Sequence, residues 1–177
     1  MTAICDTHVH IFDPKNFPYA AGRAYTPPRA LLPELRANMA LLNAGRCVLV
    51  QPSVYGTDNA CLLDGLRSLG AAARGVAVID PLATTDKELA DLHAAGVRAV
   101  RVNFEDRQGG APVDKIEVIR ATANRVASGG MAVQLYVDLH TAAQVVDLSC
   151  FGDGCRSLTI LRGSRSATGL PTRHLSG

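Results

Sequence analysis

Asp6, His8 and His10 recur at every second position near the amino terminus, within Ile4-Cys5-Asp6-Thr7-His8-Val9-His10-Ile11-Phe12. On a strand, whose side chains alternate between faces, this spacing turns all three to one side with Ile4. Cys5, Thr7, Val9 and Ile11 turn to the other. Two imidazoles on one face can grip one metal ion or one substrate group. An isolated His-x-His pair serves equally well as a structural or surface pair, so the chemistry depends on what accompanies it. Three later stretches carry polar side chains at the same period of two: Gln51 with Ser53, Arg101 with Asn103, and Gln134 with Tyr136 and Asp138.

The elements that must position these residues follow from apolar periodicity. Strands are predicted at Ile4 to Phe12, Cys47 to Gln51, Gly75 to Asp80, Val97 to Phe104 and Ala132 to Asp138. Each is followed by apolar residues at helical spacing. The helix positions are Leu31, Leu35 and Met39 with Gly45 as the stop, Leu62, Leu66 and Leu69 after a cap at Asp58 or Asn59, and Leu89 with Leu92. Ile116, Ile119, Ala123 and Val126 mark the next, and Thr141 to Leu148 the last. Thr85 and Glu88 have capping-box spacing. Between the first strand and its helix runs a long Pro- and Gly-containing loop that includes Tyr25; loops of that length usually carry function.

Strand-then-helix alternation implies a parallel sheet, which leaves the (β/α)8 barrel and the open doubly wound sheet. An open sheet packs helices on both faces and should be apolar on both. Strands with one polar face near their carboxyl ends suit the barrel, where that face becomes the floor of a site. The fold expected is therefore a TIM-type (β/α)8 barrel, with about the first five β/α units present in residues 1–148.

The 177 residues are enough for one domain, and 47% hydrophobic with 19% charged residues is a soluble globular composition without an apolar run long enough to span a membrane. No secretory leader is evident, and five cysteines without paired spacing fit free thiols, so a cytoplasmic location is expected. The net charge of +2 comes with no basic stripe bearing aromatics, which argues against nucleic-acid binding. From Ser149 the composition turns to Gly, Ser and Arg with no convincing strand or amphipathic helix. Residues 149–177 are expected to be a low-complexity tail, disordered or the product of a reading-frame shift near Ser149. Cys150, Cys155 and His174 within it are too unevenly spaced to mark a metal site.

Taken together, Asp6-Thr7-His8-Val9-His10, Tyr25-Thr26-Pro27, Gln51-Pro52-Ser53-Val54-Tyr55-Gly56-Thr57-Asp58-Asn59, Arg74-Gly75-Val76-Ala77, Ala95-Gly96-Val97-Arg98 and Arg101-Val102-Asn103-Phe104 resemble the amidohydrolase superfamily. The branch most similar is that of the 2-pyrone-4,6-dicarboxylate lactonase-like hydrolases, over about residues 3 to 140. The resemblance implies a distorted (β/α)8 barrel that hydrolyses a carboxylated lactone in aromatic catabolism. It also implies His8 and His10 as catalytic groups, with Tyr25, Ser53, Arg101, Arg107 and Tyr136 in contact with the substrate. Guanidiniums recognise carboxylates in a bidentate, permanently charged manner, and hydroxyls can orient them. The expected partner is a small carboxylated lactone, with self-association through unpaired barrel edges as a further expectation.

The same resemblance bears on metal. Binuclear members of the superfamily carry a strand-four Lys or Glu and a strand-five His, where this sequence has Arg101-Val102-Asn103 and Gln134-Leu135-Tyr136. The lactonase branch implies no cofactor; the alternative is a single zinc held by His8 and His10, with Glu105 nearby. The family's general base, an Asp after the eighth strand, has no counterpart here, nor do its supporting His and further Arg. These 177 residues are therefore expected to bind substrate poorly and to turn it over negligibly.

Overall fold

The computed structural model describes residues 4–104, 114–147 and 158–162. Strands and helices alternate as β1 (Ile4–Val9), α1 (Leu32–Leu41), β2 (Ala44–Val50), α2 (Ala60–Leu69), β3 (Ala73–Ala77), α3 (Asp86–Ala94), β4 (Val97–Asn103), α4 (Lys115–Ala127), β5 (Ala132–Val137), α5 (Leu139–Asp147) and β6 (Leu158–Arg162). Every strand pairing is parallel, and the strands follow one another across the sheet in chain order. A doubly wound sheet reverses its order at a switch point; a barrel wall does not. The sheet is thus the curled wall of a partial (β/α)8 barrel, as the polar strand faces imply.

The helix termini show why these segments fold as they do. The Thr85 hydroxyl accepts the Glu88 N–H while Glu88 Oε2 accepts the Thr85 N–H at 2.7 Å, so the capping box closes in both directions. Asp114 caps α4 by accepting the Ile116 and Glu117 amides. The turn after α1 differs from expectation: Asn43, at φ 52°, takes the left-handed position, and Gly45 lies inside β2. Asn tolerates that conformation without a glycine's freedom.

The outward face of the wall packs on the helices. A Cβ at Gly65 of α2 would meet Ile11 Cδ1 at 2.8 Å and Leu49 Cδ1 at 2.9 Å, so this helix rides close over β1 and β2. Leu49 therefore points outward, and alternation puts Cys47 on the same side. Ser53 opens a short 3-10 turn, Ser53–Tyr55, where a period of two no longer applies.

A second correction concerns the tail. Leu158–Arg162 is a strand, paired parallel to Val133–Val137, where composition gave none. Glu105, Arg107, Cys150, Cys155 and His174 lie outside the described residues. Among the described residues, no helix is long and apolar enough to cross a membrane.

Candidate active site

The carboxyl ends of the strands bring four of the expected residues to the inner face. His8 and His10 stand edge to face with ring centroids 5.0 Å apart. Arg101 is only 9% exposed despite its charge, and its guanidinium carbon lies 5.0 Å from the centroid of the Tyr136 ring. Register explains the contact: Arg101 pairs with Gln134, and Asn103 pairs with Tyr136. Aligned residues of parallel strands share a face, so Arg101 crosses diagonally to reach Tyr136. The electron-rich ring face then supports the planar cation.

The two imidazoles are held differently. His10 Nδ1 lies 2.7 Å from the Val50 carbonyl oxygen, which can only accept, so Nδ1 carries a proton and donates it there. His8 has its pKa lowered from the ordinary imidazole value, first by burial and then by the positive charges of His10 and Arg101, with Asp6 opposing. It is accordingly neutral at pH 7.

A cleft of ≈ 540 Å³ is lined among others by Arg23, Gln51, Ser53, Asp80, Arg101 and Asn103; of the four clustered residues Arg101 alone is in its lining, with His8, His10 and Tyr136 outside it. Ser53 is half-buried at its rim. Tyr25 is 43% exposed in the long loop and does not line the cleft, whereas Arg23 of the same loop does. Arg107 lies outside the described residues.

Several residues shape this end of the sheet through partners far along the chain. Gln51 is fully buried and donates from Nε2 to the Asp58 carbonyl at 2.6 Å, holding the β2–α2 turn from below. Asp58 or Asn59 was expected to cap α2: Asp58 Oδ1 accepts the Ala60 N–H at 3.0 Å, while Asn59 Oδ1 accepts the Val78 N–H at 3.0 Å and its Nδ2 donates to the Val78 carbonyl at 2.8 Å. The amide thus extends β3 by one surrogate backbone unit. Tyr55, at the end of the Ser53–Tyr55 turn, is buried, and its hydroxyl accepts the Asp13 N–H at 2.8 Å. Burial raises its pKa.

The long loop is cinched at its base, where Phe12 and Ala30 exchange both backbone hydrogen bonds at 2.8 and 2.9 Å. It is seated on the β2–α2 turn through the Ala20 N–H to Val54 carbonyl bond and the Tyr19–Tyr55 ring contact at 5.2 Å.

At the far side, Asp138 caps α5 rather than facing the cleft. Its carboxylate accepts Lys115 Nζ at 2.5 Å and the Thr141 N–H and hydroxyl at 2.8 and 3.0 Å. Lys115 and then Thr141 hold its pKa well below the usual carboxylate range. Asp80, after β3, is likewise committed: Oδ1 accepts the Leu82 and Ala83 amides.

The donors for a metal are His8 and His10. Among the described residues no group of three or more His, Cys, Asp and Glu side chains comes together to hold an ion. Catalytic zinc sites use three protein ligands, so the described residues do not by themselves fit one.

A family profile described as Amidohydrolase matches residues 5–160. The chain is 41% identical over 135 residues to a 2-pyrone-4,6-dicarboxylate hydrolase from Comamonas testosteroni, covering 75% of this chain and 43% of that protein. It is 40% identical over 111 residues to a 4-sulfomuconolactone hydrolase from Rhizobium radiobacter, covering 62% of this chain and 36% of that one. The chain therefore spans less than half the length of either relative. Among solved structures, one from Acinetobacter baumannii, described as a probable 2-pyrone-4,6-dicarboxylic acid hydrolase with citric acid bound, superposes with a TM-score of 0.77. It is 24% identical, with 90% of this chain and 58% of that one covered, and shows the fold.

Proposed function

The chain belongs to the amidohydrolase family, and on that premise we propose that its site serves the hydrolysis of a carboxylated lactone, 2-pyrone-4,6-dicarboxylate or a close analogue, as in aromatic catabolism. The observation that carries this reading is the buried Arg101 guanidinium laid over Tyr136 beside His8 and His10. A buried cation needs an anion or a π face, and a planar carboxylate matches its fork. The two hydrolases above, each named for a lactone bearing acidic groups, support the same substrate class.

In this reading Arg101 binds one carboxylate, and the Tyr136 ring fixes the plane in which it does so. His8, neutral at working pH, donates a hydrogen bond to the ester carbonyl and so favours the oxyanion that forms there. His10, its Nδ1 proton given to Val50, contributes Nε2 as an acceptor. Ser53 orients the ring from the rim. Asp80 and Asp138, the carboxylates that follow β3 and β5, are already committed to amides and to Lys115. Asp138 is therefore not placed to take a proton from water, and Asp80, which lines the cleft, keeps Oδ1 on its two amides, so binding should be more evident than turnover.

The test is to measure binding of 2-pyrone-4,6-dicarboxylate by equilibrium dialysis and hydrolysis by loss of its ring absorbance. Saturable binding, with or without slow hydrolysis, supports the reading. Neither binding nor hydrolysis overturns it.

A further inference from the structure

We propose that Arg23 is a second carboxylate-binding residue of the cleft, selecting substrates that carry two acidic groups over those that carry one. The inference rests on the lactone reading above and adds to it a residue that reading does not use.

Arg23 and Arg101 line the same cleft from opposite sources, one from the long loop and one from β4. A single guanidinium satisfies one carboxylate; two at one cleft suit a dianion. Arg23 is exposed, and an exposed arginine free to sweep through solvent would contribute little. This one is held. Its Nε donates to Thr26 Oγ1 at 2.9 Å, its NH1 donates to the Ala20 carbonyl at 3.1 Å, and its guanidinium carbon lies 5.8 Å from the centroid of the Tyr19 ring.

The support is itself anchored. Tyr19 packs on Tyr55, whose hydroxyl accepts the Asp13 amide, and Ala20 donates its own N–H to Val54. The loop that presents Arg23 is thereby fixed to the turn that carries Ser53. Both N–H groups of NH2 have no partner among the described residues, so the guanidinium keeps donors for a ligand while its orientation is already set. Because less side-chain freedom is lost on binding, more of the charge-assisted interaction is retained. Tyr25, two residues on, has no such position at the cleft.

The experiment compares 2-pyrone-4,6-dicarboxylate with 2-pyrone-6-carboxylate by calorimetric titration against the full chain and its Arg23→Ala and Arg23→Lys variants, with circular dichroism as the check on folding. Loss of one charge-assisted contact weakens dicarboxylate binding about tenfold in Arg23→Ala. Binding of the monocarboxylate should stay within about twofold, and Arg23→Lys should fall between wild type and Arg23→Ala for the dicarboxylate. Equal weakening of both ligands, or none of either, with wild type binding normally, overturns the role of Arg23 and leaves the lactone reading intact. Failure of the wild-type chain to bind either ligand overturns that reading, and this inference with it.

Discussion

Arg101 and Tyr136 meet across a register offset: the arginine pairs with Gln134 on β5, yet its guanidinium carbon lies 5.0 Å from the ring centroid one same-face step further along. The side chain therefore leans toward the carboxyl ends of the strands, where the cleft opens.

That lean makes the ring face, not the hydroxyl, the support for Arg101. Tyr136→Phe should keep dicarboxylate binding within about threefold, whereas Tyr136→Ala should weaken it further by removing the cation–π contact. Arg101→Ala should cost about tenfold or more. Titration calorimetry on the three variants decides it; a Phe variant as weak as the Ala variant would shift the role to the hydroxyl.

The pairing of Asn59 with Val78 predicts a stability effect at a residue whose neighbours suggest only a helix cap. Asn59→Ala strands the backbone N–H and carbonyl of Val78, just past β3, and should cost about 1–3 kcal/mol in denaturant unfolding. Hydrogen exchange at the Val78 amide should speed up in the same variant. A change under half a kilocalorie, with Val78 exchange unaltered, would mean that water replaces the amide without loss.

Asp138 sets a pH dependence whose direction follows from its lowered pKa. A carboxylate bound more tightly to its charge in the folded chain adds stability above the ordinary carboxylate pKa, and that contribution drains away as pH falls below about 4. Asp138→Asn should lose about 1 kcal/mol at neutral pH, since the pair with Lys115 is partly solvated. The variant's stability should also decline less steeply than wild type's below about pH 4. Parallel curves for the two proteins across that range would count against the assignment.

Metal dependence is the remaining prediction. With His8 and His10 as the donor pair and no further ligand gathered among the described residues, the chain purified without chelator should hold zinc well below stoichiometric amounts by elemental analysis. Dicarboxylate binding should be unchanged after dialysis against EDTA. Stoichiometric zinc that survives dialysis, and binding that disappears with it, would reassign His8 and His10 as ligands.

What could be read from the sequence was what repeats over a short distance. The His8–His10 face, the Arg101 face and the Thr85–Glu88 box depend on residues two or three apart, and the structure keeps each. What escaped was determined by partners far along the chain. Asn59 looks like a cap until Val78, nineteen residues away, supplies a better pairing. Tyr55 looks like a loop residue until Asp13 and Tyr19 close over it. Arg23 differs from other loop arginines only in what folds against it. The strand at Leu158–Arg162 is concealed by flanks rich in Gly, Ser and Arg, and only its pairing with β5 identifies it.

Because each strand pairs with the one before it in sequence, the sheet has an order of assembly built into it. No pairing among the described strands has to wait for a segment made much later; every new strand meets an edge that its predecessor has already laid down. A chain emerging from the ribosome can then extend the wall one β/α unit at a time, each helix covering the seam behind it, and the loop-closure cost is met in small steps rather than in one long-range search.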